Sequence, residues 1–259
     1  MPIDQIDAEV LATRLAGAAR DRAPIRMLTE GEPGLDVAQA YRIQRALIDQ
    51  RVATGDGVVG YKLGLVSRAK QVAMGVDEPL WGWLTRDMLH DEEQPLPLDQ
   101  LIHPRAEPEI AFLLRDAVDP ENATVPSVLA ATAGVFPAIE IIDSRYEDFR
   151  FTLPDVIADN GSASRILLGG RLVPVTDIDL QLEGMVLRSG GEVVHTAAGA
   201  AISGHPAAAV AWLARVAEGL PAGSIVLSGG LTAAVELSPG MVVSAEYTSL
   251  GSVTLRCGG

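Results

Sequence analysis

Arg105-Ala106-Glu107-Pro108-Glu109-Ile110-Ala111-Phe112 and, further along, Ala138-Ile139-Glu140-Ile141-Ile142-Asp143-Ser144-Arg145 place three carboxylates inside runs that otherwise read as buried strands. Side chains alternate along a strand, so Glu107 and Glu109 share a face. Ala111 and Leu113 continue that face, while Ile110, Phe112 and Leu114 line the other. Apolar residues on both faces predict a strand covered on both sides. Glu140 stands in a similar run, 135–142. Unpaired buried carboxylates are costly, and three together protonate or repel one another. A hard divalent cation relieves both costs. Oxygen donors without His or Cys favour Mg²⁺, with Mn²⁺ close behind, over Zn²⁺. The alternative is that the acids pair with Arg105, Arg145 or another cation.

The rest of the chain bounds this reading. Its 259 residues are 48% hydrophobic, enough for a large core. The single cysteine, Cys257, excludes a disulfide framework or a zinc cluster within the chain and fits a reducing, cytoplasmic setting. Met1-Pro2-Ile3-Asp4 lacks the layout of a signal peptide, and no apolar run reaches a membrane span. With 34 acids against 20 bases, the net charge is −14. Such a field repels nucleic acid and anionic membranes. An anionic substrate therefore needs a local cationic site, which a metal and a lysine would supply.

Helical periodicity marks residues 6–21 and 36–54, the second with Asp36 as cap. A short strand is expected at 57–65 and a helix from Ser67 to Met74. Strands follow at 79–85, 104–115, 135–143 and 164–169. A hairpin is expected from 178–188 and 191–195, then a helix at about 206–218 opened by His205-Pro206. Strands at 224–228, 241–247 and 250–256 close the chain. Helices lead and strands dominate later, which predicts an α+β fold. The expected organisation is a helical segment, 1–56, packed on a β-domain, 57–259.

Lys62 lies in the glycine-flanked apolar run Gly60-Tyr61-Lys62-Leu63-Gly64-Leu65. Lysine is rarely buried without a partner. It either snorkels from a strand edge or faces the carboxylates, where burial and a metal would lower its pKa for proton transfer. The four histidines have no metal-pair spacing, and no Walker loop, G-x-G-x-x-G or serine nucleophile elbow is present. Trp81 and Trp83 read as core or as pocket lining. A His–Glu pair to activate water for C–C hydrolysis is not evident.

Several segments together resemble the 2-keto-4-pentenoate hydratase/4-oxalocrotonate decarboxylase group of the fumarylacetoacetate hydrolase superfamily. They are 60–64, 74–79, 104–111, 140–145, 156–160, 199–201 with 204–206, and 250–253. The resemblance implies a mixed β-roll of the C-terminal-domain type with the N-terminal helices outside. It implies Mg²⁺ (or Mn²⁺) on Glu107, Glu109 and Glu140, with Lys62 as the active-site lysine. The hydratases of this group carry an acid where this chain has Leu80, in Pro79-Leu80-Trp81-Gly82; an apolar residue there matches the decarboxylases. The stretches 143–151, 162–165 and 229–235 match the decarboxylases as well. Gly161 and Ala163 depart from the usual alanine and serine, while Ser162 remains. The implied activity is decarboxylation of (3E)-2-oxohex-3-enedioate, with hydration of 2-hydroxypenta-2,4-dienoate as the alternative and a non-catalytic subunit as the outsider. Arg145 and Arg165 are expected to hold the distal carboxylate, or else to form structural ion pairs, with Leu80 and Ser162 beside the substrate. The implied partners are the small dicarboxylate, further copies of the chain in a homo-oligomer, and a partner hydratase.

Overall fold

Residues 7–259 are described in a computed structural model. Helix α1 (Ala8–Asp21) starts at Asp7, whose carboxylate accepts from the Glu9 and Val10 N–H groups; Ile6, expected to be helical, lies outside the described residues. A single turn, α2 (Leu28–Gly31), precedes α3 (Val37–Ala53). The Asp36 cap is reciprocal, with the Gln39 side chain returning a bond to the Asp36 backbone. Strand β1 (Val58–Gly64), helix α4 (Arg68–Met74) and strand β2 (Leu80–Thr85) follow. Next come β3 (Arg105–Leu114), α5 (Val125–Ala131), β4 (Thr132–Ile142), α6 (Leu153–Ala158) and β5 (Ala163–Leu168). The C-terminal part comprises β6 (Gly184–Ser189), β7 (Glu192–Ala198), α7 (Pro206–Val216), β8 (Ile225–Leu227), β9 (Val235–Glu236), β10 (Val242–Tyr247) and β11 (Gly251–Arg256).

The large sheet has the order β2-β1-β8-β3-β4-β5, with β9 on β3; the small one runs β11-β10-β6-β7. β1 and β8 are parallel and the other pairings antiparallel, so the architecture is a mixed α+β roll. One face of the large sheet carries Leu63, Ile110, Phe112, Ile139 and Ile141. It buries them with Leu187, Val243, Ala245 and Leu255 of the small sheet and with α7. The other face curls inward around Leu84, Met88, Ala111, Ala138, Ile166 and Leu227. The N-terminal helices pack outside, sharing a buried cluster with Leu80, Tyr146 and α6. No helix among the described residues is long and apolar enough to cross a membrane.

One expected strand is shorter than its apolar pattern. Residues 178–183 form turns, and β6 begins at Gly184. The buried Glu183 carboxylate accepts from the Ser249 and Leu250 N–H groups, tying this segment across to the β10–β11 turn instead of into a ladder.

Candidate metal centre

Register assembles the site. Glu107 lies directly opposite Glu140 across the β3–β4 pair. Lys62 of β1 pairs with Leu227, which pairs in turn with Ala111, two positions beyond Glu109 on the same face of β3. Residues far apart in sequence thus meet on the inward face of the curl. Glu107, Glu109 and Glu140 offer oxygens within 4.8 Å of one another. Glu109 and Glu140 are fully buried. One Glu109 oxygen accepts from the Gly229 N–H at 2.7 Å; the other has no hydrogen-bond partner, and neither Glu140 oxygen has one of ordinary geometry. Orphaned anionic oxygens at this depth are costly, and together they match the hard-oxygen donor set of Mg²⁺.

Lys62 answers only part of that charge. Its Nζ lies 2.9 Å from Glu140 Oε2 and donates to the Gly161 carbonyl at 2.9 Å. Burial pushes the Lys62 pKa down, but Glu140, Glu109 and Glu107 together outweigh burial and hold it above the ordinary lysine value. The neighbouring carboxylates thus oppose the lowering that burial by itself produces. Glu109 is raised well above the carboxylate range by burial and then by Glu140. Glu140 is raised by burial, against the opposing pull of Lys62.

The cluster opens into a cavity of about 300 Å³ lined by Lys62, Lys70, Glu107, Leu80, Gly161 and Ser162, with Leu65, Ile142, Phe149, Phe151 and Val156 forming its apolar wall. Three successive residues, Asn160, Gly161 and Ser162, have φ near +60°. Glycine suits the middle one, because a Cβ there would meet Leu80 and Lys62 at 3.1–3.3 Å. The Asn160 amide fastens this turn to β2: its Oδ1 accepts from Trp83 N–H at 2.8 Å, and its Nδ2 donates to Trp83 O at 2.9 Å. Gly82 leaves the space Asn160 needs, since a Cβ would meet its oxygens at 2.8 Å. A larger groove of about 570 Å³ lies between Tyr41, Trp81 and Trp212, but its charged lining residues, Asp77 and Glu78, are exposed. The chemistry converges on the smaller cavity.

The two arginines need correction. Arg145 does not line the cavity. Its guanidinium is buried on Asp159, with further bonds to the carbonyls of Asp143, Asp159 and Ala163. These contacts leave it little capacity to hold a distal carboxylate. Arg165 also lies outside the cavity; it bonds to the Ser164 carbonyl, and burial lowers its pKa against the pull of Asp143 and Asp87. The Arg105 pairing with the acids is not formed either: Arg105 pairs with Glu236. Lys70 is the residue the sequence hid. It reads as an ordinary helix-surface lysine, yet its Nζ lies 2.9 Å from Glu107 Oε1. Phe149 and Phe151 were signalled only as part of the 143–151 stretch.

A rolled mixed sheet holding buried carboxylates and a lysine around an apolar cavity defines an enzyme of the metal-assisted acid-cluster class. The family model for the fumarylacetoacetate (FAA) hydrolase C-terminal region matches residues 59–257, and the chain belongs to that family. A 4-oxalocrotonate decarboxylase of a Pseudomonas species is 44% identical over 253 residues, 96% of this chain and 97% of that protein. A 2-keto-4-pentenoate hydratase of Paraburkholderia phymatum is 39% identical over 249 residues, covering 95% of each. The structure of 4-oxalocrotonate decarboxylase from Pseudomonas putida G7, complexed with magnesium and adipate, superposes with a TM-score of 0.94 at 37% identity. It covers 96% of this chain and 97% of that one.

Proposed function

We propose that this chain is a Mg²⁺-dependent carboxy-lyase that converts (3E)-2-oxohex-3-enedioate to 2-hydroxypenta-2,4-dienoate and CO₂. The observation that carries the reading is the orphaned carboxylate cluster beside Lys62, opening onto a wall that includes Leu80. The similar protein crystallised with magnesium and a six-carbon dicarboxylate supports the metal and the substrate class. Glu107, Glu109 and Glu140 would hold Mg²⁺. When bound, the ion supplies Lewis-acid polarisation of the α-keto acid.

The C6 carboxylate is a vinylogous relative of a β-keto acid carboxylate. The C5–C6 bond breaks, CO₂ leaves, and the electron pair moves through C4 and C3 to the C2 oxygen, giving a dienolate that takes one proton. Lys62, a buried cation, stabilises that oxyanion or delivers the proton. Leu80, Phe149, Phe151 and Val156 surround the leaving carboxylate with apolar surface, which disfavours the anion relative to neutral CO₂. Ser162 lines the same cavity; its hydroxyl donates to Asp159, so toward the substrate it offers oxygen lone pairs.

Hydration of the dienol is the alternative, supported by the 39% identical hydratase. Leu80 argues against it, because it supplies no carboxylate to orient water. The reading extends to a cytoplasmic homo-oligomer that hands its dienol to a partner hydratase; light scattering of the protein alone and mixed with such a hydratase checks this. Incubation with Mg²⁺ and the enedioate is expected to yield CO₂ and the dienol. Rapid conversion of the dienol to 4-hydroxy-2-oxopentanoate, without CO₂ from the diacid, would install the hydratase.

A further inference from the structure

Helix α4 brings a second cation to the cavity. Its cap, the Ser67 hydroxyl, accepts from the Lys70 N–H at 3.2 Å and fixes where that side chain leaves the helix. The Lys70 ammonium and Glu107 both line the cavity and meet at 2.9 Å. An ammonium has three donors. Lys62 commits its group to Gly161 and Glu140 and is 3% exposed. Lys70 has Glu107 as its one partner among the described residues, and its side chain is 27% exposed. It therefore retains donors at the end of the cavity where the three acids gather. Glu107 is also one of those acids, and a divalent cation competes with an ammonium for the same oxygen lone pairs. A cation that draws Glu107 away leaves Lys70 without its neutralising anion, beside the position of the ion.

We propose that Lys70 anchors the substrate through its keto-acid carboxylate, exchanging Glu107 for that group when the metal is loaded. This rests on the function proposed above and deepens it by assigning orientation. The substrate is anionic at both ends. Among the described residues, Lys62 and Lys70 are the cavity's cationic lining side chains, and both lie against the acid cluster. Arg145 and Arg165 lie outside it. Positive charge at one end and apolar surface elsewhere draw the keto-acid end to the metal and leave the other carboxylate among hydrophobic side chains.

Calorimetric titration of Mg²⁺-loaded protein with pyruvate tests the anchor, because pyruvate carries the keto-acid group and no second carboxylate. Lys70→Met is expected to weaken pyruvate binding by roughly tenfold or more, the scale of one lost charge-assisted contact. Mg²⁺ affinity, titrated without pyruvate, should stay equal or tighten, since a competitor for Glu107 is gone. Lys70→Arg should restore most of the pyruvate affinity, and KM for the enedioate should rise more than kcat falls. Wild-type pyruvate affinity in Lys70→Met overturns the proposal. Weakened Mg²⁺ binding in that variant overturns it too, because the lysine's part would then be to hold Glu107. Failure of the wild type to bind Mg²⁺ would overturn the reading of the site, and the anchor with it.

Discussion

Arg145–Asp159 and Lys62–Glu140 are both buried ion pairs, and their surroundings differ. Around Arg145 there is one acid for one guanidinium, and the remaining N–H groups reach carbonyls of Asp143, Asp159 and Ala163. Asp159 also accepts from the Arg145 backbone N–H and from the Ser162 hydroxyl. Around Lys62, three acids share one fully buried cation and a half-buried second one, Lys70, while oxygens of Glu109 and Glu140 lack hydrogen bonds. The first arrangement is electrically closed and holds the turn in shape. The second carries an excess of negative charge that a visiting cation completes. Burial alone therefore does not separate a structural pair from a functional one; the count of unanswered atoms does.

Neutralising an acid in the open cluster tests this contrast most sharply. Glu109→Gln is expected to cut kcat/KM by about a thousandfold or more, about 4 kcal/mol of transition-state stabilisation, and to weaken Mg²⁺ binding. The metal-free variant should melt no lower than wild type, because repulsion is relieved. Enedioate decay and thermal melts in chelator report both; undiminished turnover would break the distinction. Arg145→Met should do the reverse. Stranding Asp159 is expected to cost about 3–5 kcal/mol of stability in urea titrations, while the folded fraction keeps its Mg²⁺ affinity.

Leu80→Asp probes the wall next to the open cluster. It is expected to slow decarboxylation about a hundredfold through repulsion of the substrate, below the full charge-pair limit because the new acid can protonate. Little 4-hydroxy-2-oxopentanoate should appear by chromatography, since orienting water takes more than one group. The smallest effect concerns pH. Burial raises Glu109 and Glu140, so protonation favours the folded state; that contribution is complete below the unfolded carboxylate value and lost as pH rises through the raised one. Mg²⁺ offsets the loss. The melting-temperature gain from saturating Mg²⁺ should be roughly 5 °C at pH 8 and smaller at pH 6; a gain that grows toward acid would contradict the sign.

Much of this was legible in the residues. The period-two pattern of 105–114 put Glu107 and Glu109 on one face, and the glycine-flanked run around Lys62 marked a buried lysine. What sequence could not supply was register between distant strands: that Glu107 faces Glu140 follows from the β3–β4 pairing alone. Direction at strand ends was hidden as well. Arg145 follows the last residues of β4, and whether it turns to the cavity or to Asp159 depends on where the 159–162 turn folds back. Lys70 was invisible because a lysine in a short helix carries no apolar pattern to place it.

The amide of Asn160 occupies both pairing groups of Trp83 on β2, an outer strand of the large sheet. In effect a side chain stands in for a neighbouring strand, and at the opposite margin Ile166 of β5 is bridged to Leu89. The sheet that carries the carboxylates is thereby blunted at these points against adhesion between molecules. In the small sheet, β7 ends the order and exposes Val193 and Val194. When molecules crowd together, the tendency to associate edge to edge falls on that ribbon, away from the strands that carry the chemistry.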